Sequence, residues 1–408
     1  MIQSLVSVSA LLMGVALLLG GIGVLNTLLA LRGSLEGFSA SVIGFVMSSY
    51  FAGYLVGTWL GPRVIGRVGH IRAFALFSAV ASSVTLIHVL WVDPWVWAML
   101  RVIAGVAMVG LYTVIESWLN VVAPRESRGR VFASYMLVNF LALAAAQVML
   151  VNVDIGSFTL FAFAAILISL SLTPVVLTGL HQPPLVPVPA YAASRMLKTA
   201  PLGAVGSLLS GVATAAVWGM VPLMAQAMSM TPGEIARLMI VMILAGGLAQ
   251  IPAGQLGDRF DRRIVLLLLS IVATLSSIGL VVAVTYNHTP AMLGALAGIG
   301  AAGFCVYSAC VALVNDHLDS SEIVPAASTL LLIHGAGAIA GPLLAGLLMQ
   351  WIGPVGLGWH FVGAWTLLTI YALWRTVVAT RVRQQSTGLR WVMRTSPVAL
   401  ELLDEDIT

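Results

Sequence analysis

Gly254-Gln-Leu-Gly-Asp-Arg-Phe-Asp-Arg-Arg263 sets five charged residues into a ten-residue stretch, between the apolar runs 233–254 and 263–286. A bilayer core about 30 Å thick takes roughly 20 apolar residues of helix. Each flanking run is therefore a membrane span, and the charged stretch is the turn between them. A second such turn, Gly61-Pro-Arg-Val-Ile-Gly-Arg-Val-Gly-His70, separates the runs 40–60 and 72–92. Span, charged turn, span thus occurs twice, and the fold is read outward from these two places.

The same alternation of apolar runs with Gly/Pro clusters and charges continues along the chain. Further spans are read at 10–31, 95–119, 130–151, 157–179, 201–226, 290–314, 324–350 and 357–379, giving twelve. Composition agrees: of 408 residues 60% are hydrophobic and 8% charged, with a mean hydropathy of +1.03, against about 25% charged in soluble domains. No segment is left for a separate soluble catalytic domain. The run from Ala10 lacks a basic leader and exceeds the roughly 7–15 residues of a signal core, so it reads as a permanent helix. Cys305 and Cys310 fall on different faces of one predicted helix and read as small buried apolar groups.

Charge sets the expected orientation. With both termini in the cytoplasm, sixteen of the 19 Lys and Arg residues lie in cytoplasmic loops and flanks, leaving only Arg32, Arg101 and Arg237 in the opposite half. The net charge of +4 is then topological and gives no reason to expect nucleic acid as a partner. Pro183, Pro184, Pro187 and Pro189 lie after the sixth span and read as an extended linker. The expected organisation is a six-helix bundle over 1–180, a cytoplasmic linker over 181–200, a second six-helix bundle over 201–380 and a cytoplasmic tail over 381–408. The halves look like diverged copies: an offset of 195 lays Gly105, Tyr112 and Asn120 over Gly300, Tyr307 and Asn315.

With these motifs in place the chain resembles the Major Facilitator Superfamily, down to about residue 380. The signature of that family is a Gly-x-x-x-Asp-Arg-x-Gly-Arg-Arg type turn after spans two and eight. Gly254, Asp258, Arg259, Arg262 and Arg263 match it, with Asp261 where Gly is usual. The first copy keeps Gly61, Gly66, Arg67, Gly69 and Arg72, but Ile65 takes the Asp position. Arg101 to Gly105 is similar to the Arg-x-x-x-Gly motif of proton-coupled members. Glu116-Ser-Trp-Leu-Asn120 followed by Arg128-Gly-Arg130 resembles the YcaD-like bacterial branch. The Gly-Pro pattern usual on span five of drug:proton antiporters falls instead on span eleven, at Gly341 and Pro342. The resemblance implies an all-α integral membrane protein of two pseudo-symmetric bundles in a bacterial inner membrane, transporting a solute and not acting as an enzyme.

Charges inside spans are costly, at least ~2.5–3.5 kcal/mol on insertion scales, and usually face a cavity or a partner. Arg101, Gly105, Met108, Tyr112 and Glu116 form one stripe of span four. Arg101 and Glu116 are ~22 Å apart along that helix and need separate partners. Glu116 is the proton-coupling candidate, because a carboxylate withdrawn from water exchanges protons in a useful pH range. Its plainer role is a helix-end pair with Arg130. Arg101 is read as holding an anionic group of the solute or modulating a proton site, with snorkelling to the outer interface as the alternative. Asn26, Asn139, Gln147, Trp218, Gln226 and His334, together with Tyr112, are the cavity candidates; each also serves as a helix–helix contact worth ~0.6 kcal/mol.

The resemblance also matches basic loops to acidic ones across the halves. Arg63, Arg67, Arg128 and Arg130, with Arg259 and Arg262, face Asp258, Asp316, Asp319 and Glu322 as an expected cytoplasmic gate. The function read is secondary active transport of a small solute by alternating access, with proton coupling as one form. Export of amphipathic drugs by proton antiport, and a non-transporting sensor or lipid scramblase, are the alternatives. The reading calls for no cofactor and no metal, membrane lipid as surroundings, and a monomer; no Gly-x-x-x-x-Gly-Lys-Ser/Thr nucleotide loop occurs in the sequence.

Overall fold

In lipid the backbone has no partner but itself, which leaves helix as the available structure for long apolar runs. A computed structural model describes residues 2–122, 128–151, 153–177, 192–319 and 322–386. Its elements are α1 (Ile2–Leu35), α2 (Ala40–Val68), α3 (His70–Leu90), α4 (Pro94–Val122), α5 (Arg128–Val148), α6 (Thr159–Leu170), α7 (Leu172–Val176), α8 (Ala193–Thr199), α9 (Pro201–Ala227), α10 (Pro232–Arg259), α11 (Arg262–Thr285), α12 (Thr289–Asn315), α13 (Ile323–Ile352) and α14 (Val355–Ser386). Among the described residues eleven passes are long and apolar enough to cross a membrane, with α6 and α7 forming one pass. The twelfth, α5, has a shorter apolar stretch, Ala133–Val148.

The two charged turns are tighter than expected, because helix runs through most of each motif. α2 continues past Pro62 to Val68 and stops at Gly69, whose φ of 82° is the left-handed region that glycine tolerates. α10 carries the motif as far as Arg259, and Asp261 begins α11 by accepting the Arg263 backbone N–H at 2.9 Å. The departure from the family pattern at Asp261 is thus a helix N-cap. Ile65, in the other Asp position, is 1% exposed and packed among Phe74 and Trp118 of the first half.

Two expectations shift. The sixth span is interrupted at Ser171, where Pro174 provides no N–H for the ladder and breaks the helix into α6 and α7. The expected linker contains the short helix α8, whose Arg195 pairs with Glu322 of the N-cap of α13 at 2.6 Å. Residues 178–191, with the four prolines, and 387–408 of the tail lie outside the described residues.

Helices α1–α7 pack on one another through α1 with α5 and α6, α2 with α4, and α3 with α4 and α6. Helices α9–α14 repeat the plan through α9 with α12, α13 and α14, α10 with α12, and α11 with α12 and α14. The repeat read from the sequence reappears as packing. A Cβ on Gly105 would strike the Tyr50 carbonyl of α2, and one on Gly300 the Met242 carbonyl of α10. The halves meet along α2 with α13, α5 with α10 and α1 with α9.

That meeting is one-sided. One apolar core joins Leu31, Ile43, Met47 and Ala144 of the first half to Met220, Met224, Ala345 and Met349 of the second. These residues lie toward the ends away from the charged turns. Toward the arginine-rich end, Ile65, Phe74, Trp118 and Leu119 belong to a core built from the first half alone. Met196, Val314, Ala326 and Leu330 form another from α8 and the second half.

Close approach of α2 and α4 depends on Gly53 and Gly105, since a Cβ on Gly53 would meet the Val102 carbonyl. Gly105→Val is expected to destabilise the protein by about 1–3 kcal/mol, read as a lower melting temperature in detergent. Gly61→Ala, whose Cβ would sit 3.6 Å from the Gly110 Cα, should melt like the wild type.

Candidate functional site

Where the shared core ends, aromatic and polar side chains from both halves converge. Tyr50 and Tyr54 come from α2, Tyr112 and Glu116 from α4, Tyr135 from α5, Tyr307 from α12 and His334 from α13. Tyr135 donates to a Glu116 carboxylate oxygen at 3.5 Å, a long bond. Glu116 is exposed although it lies in electrostatic reach of Tyr54, Tyr112 and Tyr307. An exposed carboxylate among helices of two halves that have separate cores at this level faces a cleft between them. Across the cleft the His334 ring sits 4.7 Å from that of Tyr307, and its Nδ1–H donates to the Ser207 carbonyl at 3.2 Å.

An aromatic layer closes the cleft toward the shared core. Trp218 of α9 stacks on Phe304 of α12 at 5.9 Å and 5°, and Phe140 of α5 meets Phe304 from the other half at 6.3 Å. Gln250 donates to the Phe304 carbonyl at 3.0 Å and fixes that turn of α12. Beyond the layer, Gly44 and Gly346 let α2 and α13 touch: a Cβ on Gly44 would fall on the Pro342 carbonyl. Gln226 donates to the Leu31 carbonyl at 3.3 Å at the same end.

Arg101 is 1% exposed and stacks its guanidinium 4.3 Å from the Tyr50 ring centre. It does not snorkel to an interface. Among the described residues, its Nε and Nη1 have no hydrogen-bond partner, and the ring face supplies a cation–π contact worth about 2 kcal/mol when dry. Arg101 therefore holds a fixed positive charge beneath the tyrosines.

The sequence candidates separate by position. Tyr112, Glu116, Trp218 and His334 belong to the cleft and its aromatic layer. Asn139 donates to the Tyr135 carbonyl one turn back, at 2.6 Å, and steadies that helix. Gln147 is fully buried, accepts from Thr27 at 2.9 Å and donates to the Gly23 carbonyl at 3.3 Å, so it joins α5 to α1. Asn26 is buried with its Oδ1 unpartnered among the described residues. Gln226 belongs to the shared end. Tyr50, Tyr54, Tyr135, Tyr307, Phe140 and Phe304 were missed as site residues. Tyr307 had a signal, as the repeat partner of Tyr112, and Tyr50 and Tyr54 share one face of α2 at a spacing of four.

The charges expected to form a gate lie at the arginine-rich end. Arg262 pairs with Asp316 at 2.8 Å and bonds the Ala312 carbonyl at 2.5 Å, within the second half, and Glu322 pairs with α8. In this conformation these acids are thus engaged on their own side and not with first-half arginines, because the cores of the two halves are separate here. Arg63, Arg67, Asp258, Arg259 and Asp319 are exposed, with Arg63 3.8 Å over the Trp59 ring. The side chains of Arg128 and Arg130 lie outside the described residues. Among the described residues no group of three or more His, Cys, Asp or Glu could hold a metal ion.

Two helical halves around an internal cleft define a membrane transporter, and the chain belongs to the Major Facilitator Superfamily. The model of that family matches residues 203–399. The MFS-type transporter YcaD of Escherichia fergusonii is 32% identical over 345 residues, covering 84% of this chain and 89% of the relative, and YcaD of Escherichia coli O7:K1 matches to the same extent. Two solved structures share the fold. The nucleoside transporter NupG has a TM-score of 0.72 at 14% identity, over 90% of this chain and 97% of that one. A bacterial homologue of the human lysosomal transporter Spinster, inward-facing and unoccupied, has a TM-score of 0.73 at 13% identity, over 96% and 99%.

The cleft predicts a labelling pattern. Cys305 and Cys310 are buried and should give little background with a water-soluble thiol reagent in micelles. Glu116→Cys is expected to react rapidly, since that position is exposed. Thr27→Cys and Gln147→Cys, at sites of 0% exposure, should stay unlabelled until the protein is unfolded.

Proposed function

We propose that the chain is a secondary active transporter that moves a small solute across a bacterial inner membrane by alternating access. The observation that carries this is the one-sided interface: a core shared by the halves at one end, separate cores at the other, and a tyrosine- and glutamate-lined cleft between. The arginine bias assigns the separated end and both termini to the cytoplasm, so the conformation is inward-facing. Residues 1–180 and 201–380 are the two moving bundles. Rocking them about the cleft would exchange the shared core for contacts at the cytoplasmic end.

In the opposite state the loop charges come together. Arg63 and Arg67, with Arg128 and Arg130, are then placed against Asp316, Asp319 and Glu322, while Asp258, Arg259 and Arg262 serve the other loop pair. One exposed pair contributes only about 0.2–1 kcal/mol, so the latch works as a network. Its first-half turn, with Ile65 in the acidic position, adds no carboxylate, which makes the latch asymmetric.

Within the cleft, Glu116 is the proton carrier and Tyr135 its hydrogen-bonding partner. Tyr112, Trp218 and His334 contact the solute. The aromatic layer favours a flat or amphipathic solute, which stacks on ring faces at little entropic cost. Coupling follows from charge: a protonated Glu116 crosses between states more cheaply than an ionised one.

Two outcomes test this. In proteoliposomes, Glu116→Gln is expected to lose pH-driven, saturable solute flux by about a hundredfold or more, of the order of a positioned proton-transfer group, while solute exchange at equal pH persists. Saturable flux that keeps its full pH dependence would remove Glu116 from coupling, and binding without flux would indicate a sensor. Second, Gly346→Leu places a side chain against the Ala40 carbonyl and wedges the shared end by about 1–3 kcal/mol. Cysteines in the cleft should then become reachable from the periplasm.

A further inference from the structure

A recess away from the cleft opens at the arginine-rich end of the second half, where α9, α11, α12 and α14 come together. Its volume of about 40 Å³ exceeds the ~10–15 Å³ that a single water needs. Arg263 of α11, Arg375 of α14, His317 just after α12 and Thr199 line it, with the first turn of α9 at Pro201 and Leu202. Among the described residues no carboxylate lines it. Two nearby acids are otherwise engaged: Asp316 on Arg262 at 2.8 Å and Asp261 on the Arg263 backbone N–H at 2.9 Å.

The recess is built to hold one guanidinium in place. His317 Nδ1 lies 2.8 Å from the Leu313 carbonyl, which only accepts, so Nδ1 carries the proton. Its Nε2 is then the acceptor of the Arg263 Nη2–H at 3.2 Å. A neutral imidazole thus aims Arg263 without adding a competing carboxylate. Arg375 reaches in from α14, 5.8 Å from the Trp374 ring. The first turn of α9 has no side-chain cap hydrogen bond and contributes the positive end of a 27-residue helix.

We propose that this recess binds a phosphate-bearing anion, with an anionic phospholipid headgroup as the favoured source. Two arginines match phosphate oxygens through charge-assisted bonds, and the Thr199 hydroxyl supplies a further donor. The lipid source follows from the outer face of α14, where Leu373, Trp374 and Val377 are exposed beside Arg375. Basic pockets between membrane helices at a cytoplasmic boundary take headgroups of this kind. A headgroup here ties α9, directly after the linker helix α8, to the outer helices α11 and α14. Neither Arg263 nor Arg375 has a role in the cleft or the gate, so the site stands apart from the transport reading.

The test uses the full-length protein purified in detergent, with phosphatidylglycerol, an uncharged diacylglycerol and inorganic phosphate as probes. Binding is read by native mass spectrometry and melting temperature. Phosphatidylglycerol is expected to bind and raise the melting temperature above diacylglycerol, with affinity falling about tenfold or more in the double variant Arg263→Gln/Arg375→Gln. Arg375→Lys should retain most binding, and Arg237→Gln, at the opposite end, all of it. Should the double variant not fold, His317→Ala, which removes only the acceptor aiming Arg263, should weaken binding in the same direction. An effect of inorganic phosphate alone, lost in the same variants, supports the site with a soluble anion as its source. Equal behaviour of phosphatidylglycerol and diacylglycerol with no effect of phosphate, or binding unchanged in the variants, overturns it.

Discussion

The backbone contact of α2 with α13 sets the rest of the arrangement. Gly44 and Gly346 bring the two helices close enough that a methyl group on either would strike a carbonyl of the other. Without a hydrophobic force between helices in lipid, close van der Waals approach of this kind is what holds them. Packed at one end by Ile43, Met47, Met220 and Met349, the halves diverge toward the other, and the divergence creates the cleft.

The two charges of the α4 stripe lie on either side of the place where this packing stops. Glu116 faces the cleft with Tyr135 beside it, while Arg101 is enclosed against Tyr50. The two charges of the α4 stripe thus have different surroundings: the arginine is fixed and dry, the carboxylate accessible and surrounded by phenols. A fixed cation near one end of the stripe biases the field along it. The stripe therefore separates an enclosed charge from an accessible one, and helix α4 spaces them by about four turns.

Much of this was legible in the residues. Spans were readable because apolar runs of membrane length tolerate little else, and the repeat offset correctly paired Gly105 with Gly300, now seen as matching helix contacts. The charged turns were located but read as longer, since helix continues through Pro62 and through Gly254 to Arg259; only the Asp261 cap and the Gly69 backbone angle end them. The break at Ser171 and the helix α8 were not anticipated, because a short interruption leaves the hydropathy of a span unchanged. Tyr307 was missed although the repeat pairs it with Tyr112, and Tyr50, Tyr54 and Tyr135 because the face a Tyr takes does not say what it packs against. Neighbouring helices decide that. Gln147 was read as a cavity group for the converse reason: its partners across the bundle, Thr27 and the Gly23 carbonyl, lie on a helix more than 100 residues away. The separation of the halves at the arginine-rich end was beyond sequence, since residue types do not say which ends pack together.

The central claim is that the two halves move as bodies, closing one end as the other opens. Spin-label distances across both ends of reconstituted protein test it, with one pair at Val68 of α2 and Leu256 of α10, and another at Leu35 of α1 and Trp351 of α13, all exposed positions. The account predicts two populations at each pair, whose weights move in opposite directions as pH is lowered: when the Val68–Leu256 distance shortens, the Leu35–Trp351 distance lengthens. A single fixed distance at both ends in every condition, or two ends that widen together, would contradict it.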